Sequence, residues 1–356
     1  MTRTGQDSDF PSRRRVLVKL AKLGGGALAA PAVLTLPLGS ALAQTPQSPR
    51  AAAAALASLN QWRELGALTE EAARLGYATP RLSASAGTGA EGDYGSVMRA
   101  TVDLIDTVTS APPSIAVTDD TERLLRRSHT LLRRVHQAER MPRQDRPLGS
   151  DQNAASAAAA AATRPTFASL KDEYARLFNT CVVREARRSE VNWAVGKIMD
   201  TANEARWLPT AKEVCCPWYF VGLIHYMEGA INFRAHLHNG DPLSERTVQV
   251  PENRPPVWNP PSDWTSSAID SLTLEGFANQ SDWSIPHMLY RFERNNGFGS
   301  RRNGIYTPYL WSFSNHYSRG KFVADRVWDP DAVSNQVGCA VILKAMIEKG
   351  LIAAPA

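Results

Sequence analysis

The feature that most constrains the fold is the nearly all-apolar segment from Pro217 to Gly229. It contains a single carboxylate, Glu228, and a single histidine, His225. Proline at its start and glycine at its end are typical helix boundaries. A helix that is hydrophobic around its whole circumference has to be surrounded by other elements. The segment therefore predicts a helical domain built around this helix.

Composition divides the rest of the chain into unlike parts. Residues 166–328 hold 24 of the 28 aromatic side chains, whereas residues 44–165 contain one tryptophan and no cysteine. Between them, residues 141–165 are rich in alanine and proline, which is typical of a linker. We therefore expect a helical N-terminal region of unknown role over 44–140, a linker over 141–165, and the main domain over 166–350.

The clearest helix of the N-terminal region is expected directly after Thr118, a good capping residue that is followed by acidic side chains. Its predicted apolar stripe consists of Leu124, Leu125, Leu131, Leu132 and Val135. Several arginines cover the remaining faces. They form either a solvated face, which is the commoner case, or a surface for anionic wall polymers or lipid headgroups.

The segment after the central helix predicts a small β-hairpin. Asn239-Gly240-Asp241 is a turn signal, and residues 246–250 alternate between polar and apolar as a strand does. Helices are expected again over 266–274, 285–295 and 330–349, the last one capped by Asp329 and Pro330. The predicted fold class is therefore mainly α (α+β).

The first 43 residues are typical of an export signal. Three arginines, Arg13 to Arg15, precede an uncharged stretch from Leu23 to Ala43 that ends in Ala41-Leu42-Ala43. The run resembles the twin-arginine signal, which implies cleavage and a periplasmic or secreted protein. The alternative is an uncut membrane anchor, but prolines and glycines in the stretch disfavour a spanning helix. We expect no membrane span in the mature protein.

The net charge of +5 does not by itself decide whether the protein binds nucleic acid, because the positions of the charged residues matter. The first 43 residues hold six basic and two acidic side chains, so the remainder has a net charge of only +1. A nearly neutral domain lacks the basic surface that nucleic acid requires. The four cysteines, Cys181, Cys215, Cys216 and Cys339, are expected to be small buried residues, with a Cys181–Cys339 disulfide as the alternative.

Glu228 is the first candidate for chemistry. Desolvation at the end of an apolar helix and the negative end of the helix dipole both disfavour its charged form. We therefore expect a raised pKa, which suits a general acid near neutral pH. From composition alone, a solvated carboxylate at a helix end is the alternative.

The segments around Glu228 resemble a bacterial family of lysozyme-like proteins, within the lysozyme superfamily. The resemblance covers Thr166 to Met346, and Asp241 and Thr247 keep the five-residue interval of phage-type lysozymes. It depends on the joint occurrence of Trp218–Glu228, His236–Leu243, Arg246–Pro251, Tyr290–Gly299 and Pro308–Tyr317. It implies a lysozyme-like fold and a hydrolase of peptidoglycan-like glycan, with Glu228, Asp241 and Thr247 as catalytic residues and no cofactor or metal.

A glycan cleft needs aromatic rings beside amide and hydroxyl groups, because sugar rings have apolar faces flanked by hydroxyls. The residues expected to bind the glycan are His225, His238, Asn296, Tyr309, Trp311, Asn315 and Tyr317. For the tyrosine, asparagine and tryptophan side chains the alternative is a place in the core, and for the two histidines it is a supporting contact to Glu228.

Two other functions stay open. A non-catalytic module could bind wall glycan through a degenerate groove. A zinc hydrolase could use His225, His236 and His238, although the chain lacks the spacing of a common zinc motif.

Overall fold

The computed structural model describes residues 49–79, 94–112, 114–140, 164–249, 251–258, 263–324 and 327–355. The expected export signal over 1–43 and nearly all of the expected linker lie outside these residues. The described residues belong to one compact unit, Thr45–Ala356. They are mainly helical and include one two-stranded antiparallel sheet, which agrees with the predicted fold class at this coarse level.

The N-terminal region is a set of three mutually packed helices: α1 (Pro49–Arg74), α2 (Tyr94–Thr109) and α3 (Asp119–Glu139). Thr118 caps α3 as predicted, because its hydroxyl accepts a hydrogen bond from the Thr121 backbone N–H. The five apolar residues expected to form its stripe are all buried. Two of its arginines, Arg127 and Arg134, pair with glutamates of α1.

The remaining helices begin with α4 (Phe167–Asn179), a 3₁₀ turn (Glu185–Arg187), α5 (Arg188–Ile198), α6 (Thr201–Val214) and α7 (Trp218–Gly229). They continue with α8 (Trp264–Leu274), α9 (Ile285–Asn296), the one-turn helices α10 (Gly299–Arg302) and α11 (Pro308–Trp311), and α12 (Cys339–Glu348). The sheet consists of β1 (Lys321–Ala324) and β2 (Val327–Asp329).

The central helix predicted from the sequence is α7. Every residue from Phe220 to Gly229 is buried, and α5, α6 and α12 pack around the helix. It packs tightly on α6 at Gly222, where an added Cβ would lie 2.8 Å from the Trp207 ring. A glycine at this position therefore lets the two helices pack closely.

Of the hairpin expected at 236–250, the turn is present, with the His236 N–H donating to the Asp241 carbonyl at 2.8 Å, but no strand forms at 246–249. The described part of that segment is an irregular loop with one isolated bridge between Ala235 and Pro242, and the sheet lies later in the chain. Proline lacks the N–H that a ladder needs, and the Asp241 carboxylate accepts the N–H groups of Val248 and Gln249. Side-chain hydrogen bonds therefore hold residues 248 and 249, where the sequence predicts a strand.

The last helix begins at Cys339 and not at Pro330. Asp329 does not cap a helix; its carboxylate accepts the N–H groups of Asp331 and Ala332 in a short turn. Gly338 packs against the Leu310 carbonyl so closely that a Cβ would lie 2.2 Å from the oxygen. This contact fixes where α12 starts.

All four cysteines are free; Cys181 and Cys339 are buried as expected, whereas Cys215 is exposed and Cys216 is partly exposed. Among the residues that the structure describes, no helix is long and apolar enough to cross a membrane.

Candidate functional site

Glu228 lies in the last turn of α7 and is 2% exposed, so its predicted burial is confirmed. Its Oε1 accepts two hydrogen bonds, one from Asn295 Nδ2 at 2.7 Å and one from the Tyr309 hydroxyl at 3.1 Å. Asn295 Nδ2 also donates to the Tyr309 oxygen at 3.1 Å. Elements distant in sequence, α9 and α11, therefore fix this carboxyl group.

The second oxygen of Glu228 faces a residue of the N-terminal region. Arg140 directly follows α3, and its Nε lies 3.3 Å from Glu228 Oε2. Its Nη1 donates to the Asn239 carbonyl at 2.7 Å, which ties it to the loop after α7. The side chain of Arg140 is 16% exposed, so the ion pair is largely shielded from water.

The last turn of α3 is fixed beside this ion pair. His136 Nε2 donates to the Met227 carbonyl at 3.0 Å. Burial, reinforced by the Arg140 charge, lowers the pKa of His136 to about 4, so this imidazole is neutral at pH 7. Glu139 Oε1 accepts hydrogen bonds from Lys321 Nζ and the Asn335 backbone N–H.

Asp241 and Thr247, the other predicted catalytic residues, are both buried in the loop after α7. Asp241 Oδ2 accepts from the N–H groups of Val248 and Gln249 at 2.8 Å. The Thr247 hydroxyl accepts from the Arg254 N–H at 2.9 Å and donates to the Pro251 carbonyl. Both side chains shape the loop, and their catalytic roles stay predictions.

Most of the residues expected to contact a glycan are internal. His225, Trp311 and Tyr317 are 0–4% exposed, so their side chains have no open face for a sugar in this structure. The Trp207 indole donates to His225 Nδ1, and burial lowers the pKa of His225 to about 3. The core alternative that the sequence leaves open therefore fits Trp311 and Tyr317 better, and His225 has Trp207 as its hydrogen-bond partner.

The other expected glycan contacts are divided. Asn315 is exposed, and its side-chain amide is hydrogen-bonded to the segment between α4 and α5. It accepts a hydrogen bond from the Val182 N–H and donates one to the Thr180 carbonyl. His238 is buried against Asp270. Asn296 and Tyr309 are buried, and the Tyr309 hydroxyl contacts Glu228 itself.

A second buried carboxylate, Glu293, helps to hold α9, the helix that carries Asn295. It lies on α9 two residues before Asn295 and is 1% exposed. It pairs with Arg301 through both carboxylate oxygens at 2.8 Å and accepts from the Tyr174 hydroxyl at 2.7 Å. Burial raises its pKa, an effect that the adjacent guanidinium opposes. The network anchors α9 to α4, which keeps Asn295 in place.

No group of three or more histidine, cysteine, aspartate or glutamate side chains in the described ranges could hold a metal ion. The three histidines of the zinc alternative have separate hydrogen-bond partners. These are Trp207 for His225, Ser267 for His236, and Asp270 for His238. The geometry therefore gives the zinc alternative no support.

Asn295 and Arg140 were missed by the sequence reasoning. Neither belongs to a local pattern that includes Glu228, and both reach it only through tertiary packing. Tyr309 was expected to bind substrate, whereas its hydroxyl contacts the candidate acid.

No protein-family model, no curated protein and no solved structure matches this chain. The resemblance to lysozyme-like proteins therefore stays a prediction from the sequence segments.

Proposed function

We propose that this chain is an exported glycoside hydrolase that cleaves a peptidoglycan-like cell-wall glycan, with Glu228 as general acid. The observation that carries the proposal is the burial of this carboxyl group at the end of the central helix, with Oε1 bound by Asn295 and Tyr309. A lysozyme-like fold and a periplasmic or secreted location are parts of the same proposal.

The proposed reaction uses the two oxygens of Glu228 differently. Asn295 and Tyr309 hold Oε1, so the proton is delivered from Oε2 to the glycosidic oxygen as the sugar gains oxocarbenium character. The bond between the anomeric carbon and that oxygen breaks, the hydroxyl of a water molecule adds to the anomeric carbon to form the new reducing end, and the remaining water proton passes to a carboxylate, that of Glu228 or of Asp241. Asp241 and Thr247 are proposed to act on the opposite side of the sugar, by stabilising the cation or by positioning the water.

The direct test uses mature protein and purified peptidoglycan. Wild type is expected to release reducing sugar ends, and Glu228→Gln is expected to release them at least about 100-fold more slowly, because a general acid contributes about that much. The matched control is Glu213→Gln, an exposed glutamate of α6 that should keep the wild-type rate. Equal rates for both variants would remove Glu228 from the reaction.

A non-catalytic glycan-binding module is the second candidate. Two observations favour it: Arg140 lies against the carboxyl group of Glu228, and Asp241 Oδ2 is already bound by backbone N–H groups. Co-sedimentation of the wild-type protein with insoluble peptidoglycan, without any release of reducing ends, would support this candidate over the hydrolase.

A further inference from the structure

We infer that Arg140 is a positioning residue for Glu228, and that the N-terminal helical region is thereby part of the site. The inference rests on the proposed role of Glu228 as an acid. Its basis is the position of the Arg140 guanidinium, with Nε 3.3 Å from Oε2 and Nη1 bound to the Asn239 carbonyl at 2.7 Å.

The position of Arg140 is determined by its neighbours on α3. Glu139, the preceding residue, is 3% exposed and pairs with Lys321 at 2.9 Å. One turn earlier, His136 donates to the Met227 carbonyl, which belongs to the residue directly before Glu228. The His136 contact holds the end of α3 against the end of α7, and the Glu139 contact ties it to β1, so the backbone of Arg140 is fixed relative to Glu228.

The contact has an electrostatic consequence. Glu228 is 2% exposed, and a cation beside a buried carboxyl group favours its ionised form. Protonation of Glu228, which the proposed reaction needs, therefore depends on where the guanidinium lies. A movement of the side chain alone changes this interaction, because Glu139 and His136 hold the backbone.

The contact also has a steric consequence. Arg140 lies at Oε2, the oxygen from which the proton is delivered in the proposed reaction. A glycosidic oxygen can take this position only when the guanidinium moves away from Oε2. Arg140 thus affects both the ionisation of Glu228 and the approach of substrate to it.

The experiment measures the ionisation of Glu228 directly, by ¹³C NMR titration of protein labelled at the glutamate carboxyl carbon. The Glu228 signal is assigned as the one absent from Glu228→Gln. In Arg140→Gln, the titration midpoint is expected to rise by about one pH unit or more, because a cation next to the carboxyl group is lost. Arg140→Lys keeps the charge and should restore a midpoint near that of wild type.

The matched control is Arg126→Gln, an exposed arginine of the same helix, which should leave the midpoint unchanged. If Arg140→Gln does not fold, as judged by circular dichroism, Arg140→Met keeps the aliphatic stem and removes the same charge. A midpoint in the uncharged variant equal to that of Arg126→Gln would overturn the inference.

The same variants separate this inference from the proposed function. A raised midpoint in a protein that releases no reducing ends supports the Arg140 inference and contradicts the hydrolase. Release of reducing ends with an unmoved midpoint contradicts the Arg140 inference and supports the hydrolase. In an active protein, a raised midpoint should extend the activity of Arg140→Gln to higher pH, because the acid stays protonated there.

Discussion

At the residue scale, Glu228 combines a position that the sequence predicts with partners that it does not. Its burial follows from the apolar run that precedes it, which is a local pattern. Its hydrogen-bond partners Asn295 and Tyr309 lie 67 and 81 residues further along the chain. Only the packing of α9 and α11 against α7 brings them together, so residue spacing could not reveal them.

A measurement can separate two roles of Asp241, one in catalysis and one in stabilising the loop after α7. Its Oδ2 accepts hydrogen bonds from the N–H groups of Val248 and Gln249 and from Asn239 Nδ2. Asp241→Asn removes the charge from these contacts and is expected to lower the free energy of unfolding by about 1–3 kcal/mol. Urea unfolding checks this value.

The control for Asp241 is Asp331→Asn, an aspartate on the surface whose side chain is 78% exposed. A change there is expected to stay within about 0.5 kcal/mol. If Asp241→Asn is as stable as this control but no longer cleaves peptidoglycan, Asp241 acts in catalysis and does not stabilise the loop.

At the element scale, helices were predicted well and the irregular segments were not. The periodicity that defines α7, α8 and α9 depends on residues within one helix, so their bounds differ from the expected ones by at most about two residues. The segment after α7 has strand-like alternation, but its conformation is set by the Asp241 carboxylate. The late start of α12 depends on a contact between Gly338 and Leu310, which no local pattern contains.

The packing of α7 on α6 gives a prediction at this scale. Gly222→Ala puts a Cβ 2.8 Å from the Trp207 ring, and Trp207 is fully buried. The clash should lower the free energy of unfolding by about 1–3 kcal/mol, as overpacking of a core does. Chemical denaturation measures the change.

Gly196→Ala in α5 is the matched control, because nothing lies within 4 Å of its added Cβ. This variant should gain up to about 1 kcal/mol from the higher helix propensity of alanine. A loss of the same size in both variants would show that the Gly222–Trp207 approach does not limit the packing.

At the scale of the whole molecule, the N-terminal helices and the later helices share one interface. His129 Nδ1 donates to Asn232 Oδ1 at 2.8 Å, and Trp193 Nε1 donates to Asp103 at 3.0 Å. Lys321 reaches Glu139 at 2.9 Å. The amino-acid composition changes near residue 165, but the parts of the chain before and after this point are in contact. The sequence alone could not indicate these contacts.

Buried histidines predict how the stability of this assembly depends on pH. Burial lowers the pKa from 6.5 to about 4 in His129, His136 and His238, and to about 3 in His225. Because the unfolded chain binds these protons first, the folded state loses stability as the pH falls from about 6.5 toward 4. Each proton taken up on unfolding adds a slope of about 1.4 kcal/mol per pH unit.

Urea unfolding between pH 7 and 4.5 measures this dependence. The variant His136→Gln removes one of these groups. The slope of the free energy of unfolding against pH should therefore fall by up to about 1.4 kcal/mol per pH unit. A free energy of unfolding that stays constant over this range would contradict the assignment of these histidines as neutral.

The most direct measurement for the central claim is the digestion of purified peptidoglycan in H₂¹⁸O, followed by mass spectrometry of the products. If Glu228 protonates a glycosidic oxygen and water completes the reaction, each new reducing end gains one ¹⁸O atom, and Glu228→Gln gives almost none. New ends without ¹⁸O, or labelled ends formed equally by wild type and Glu228→Gln, would contradict the account.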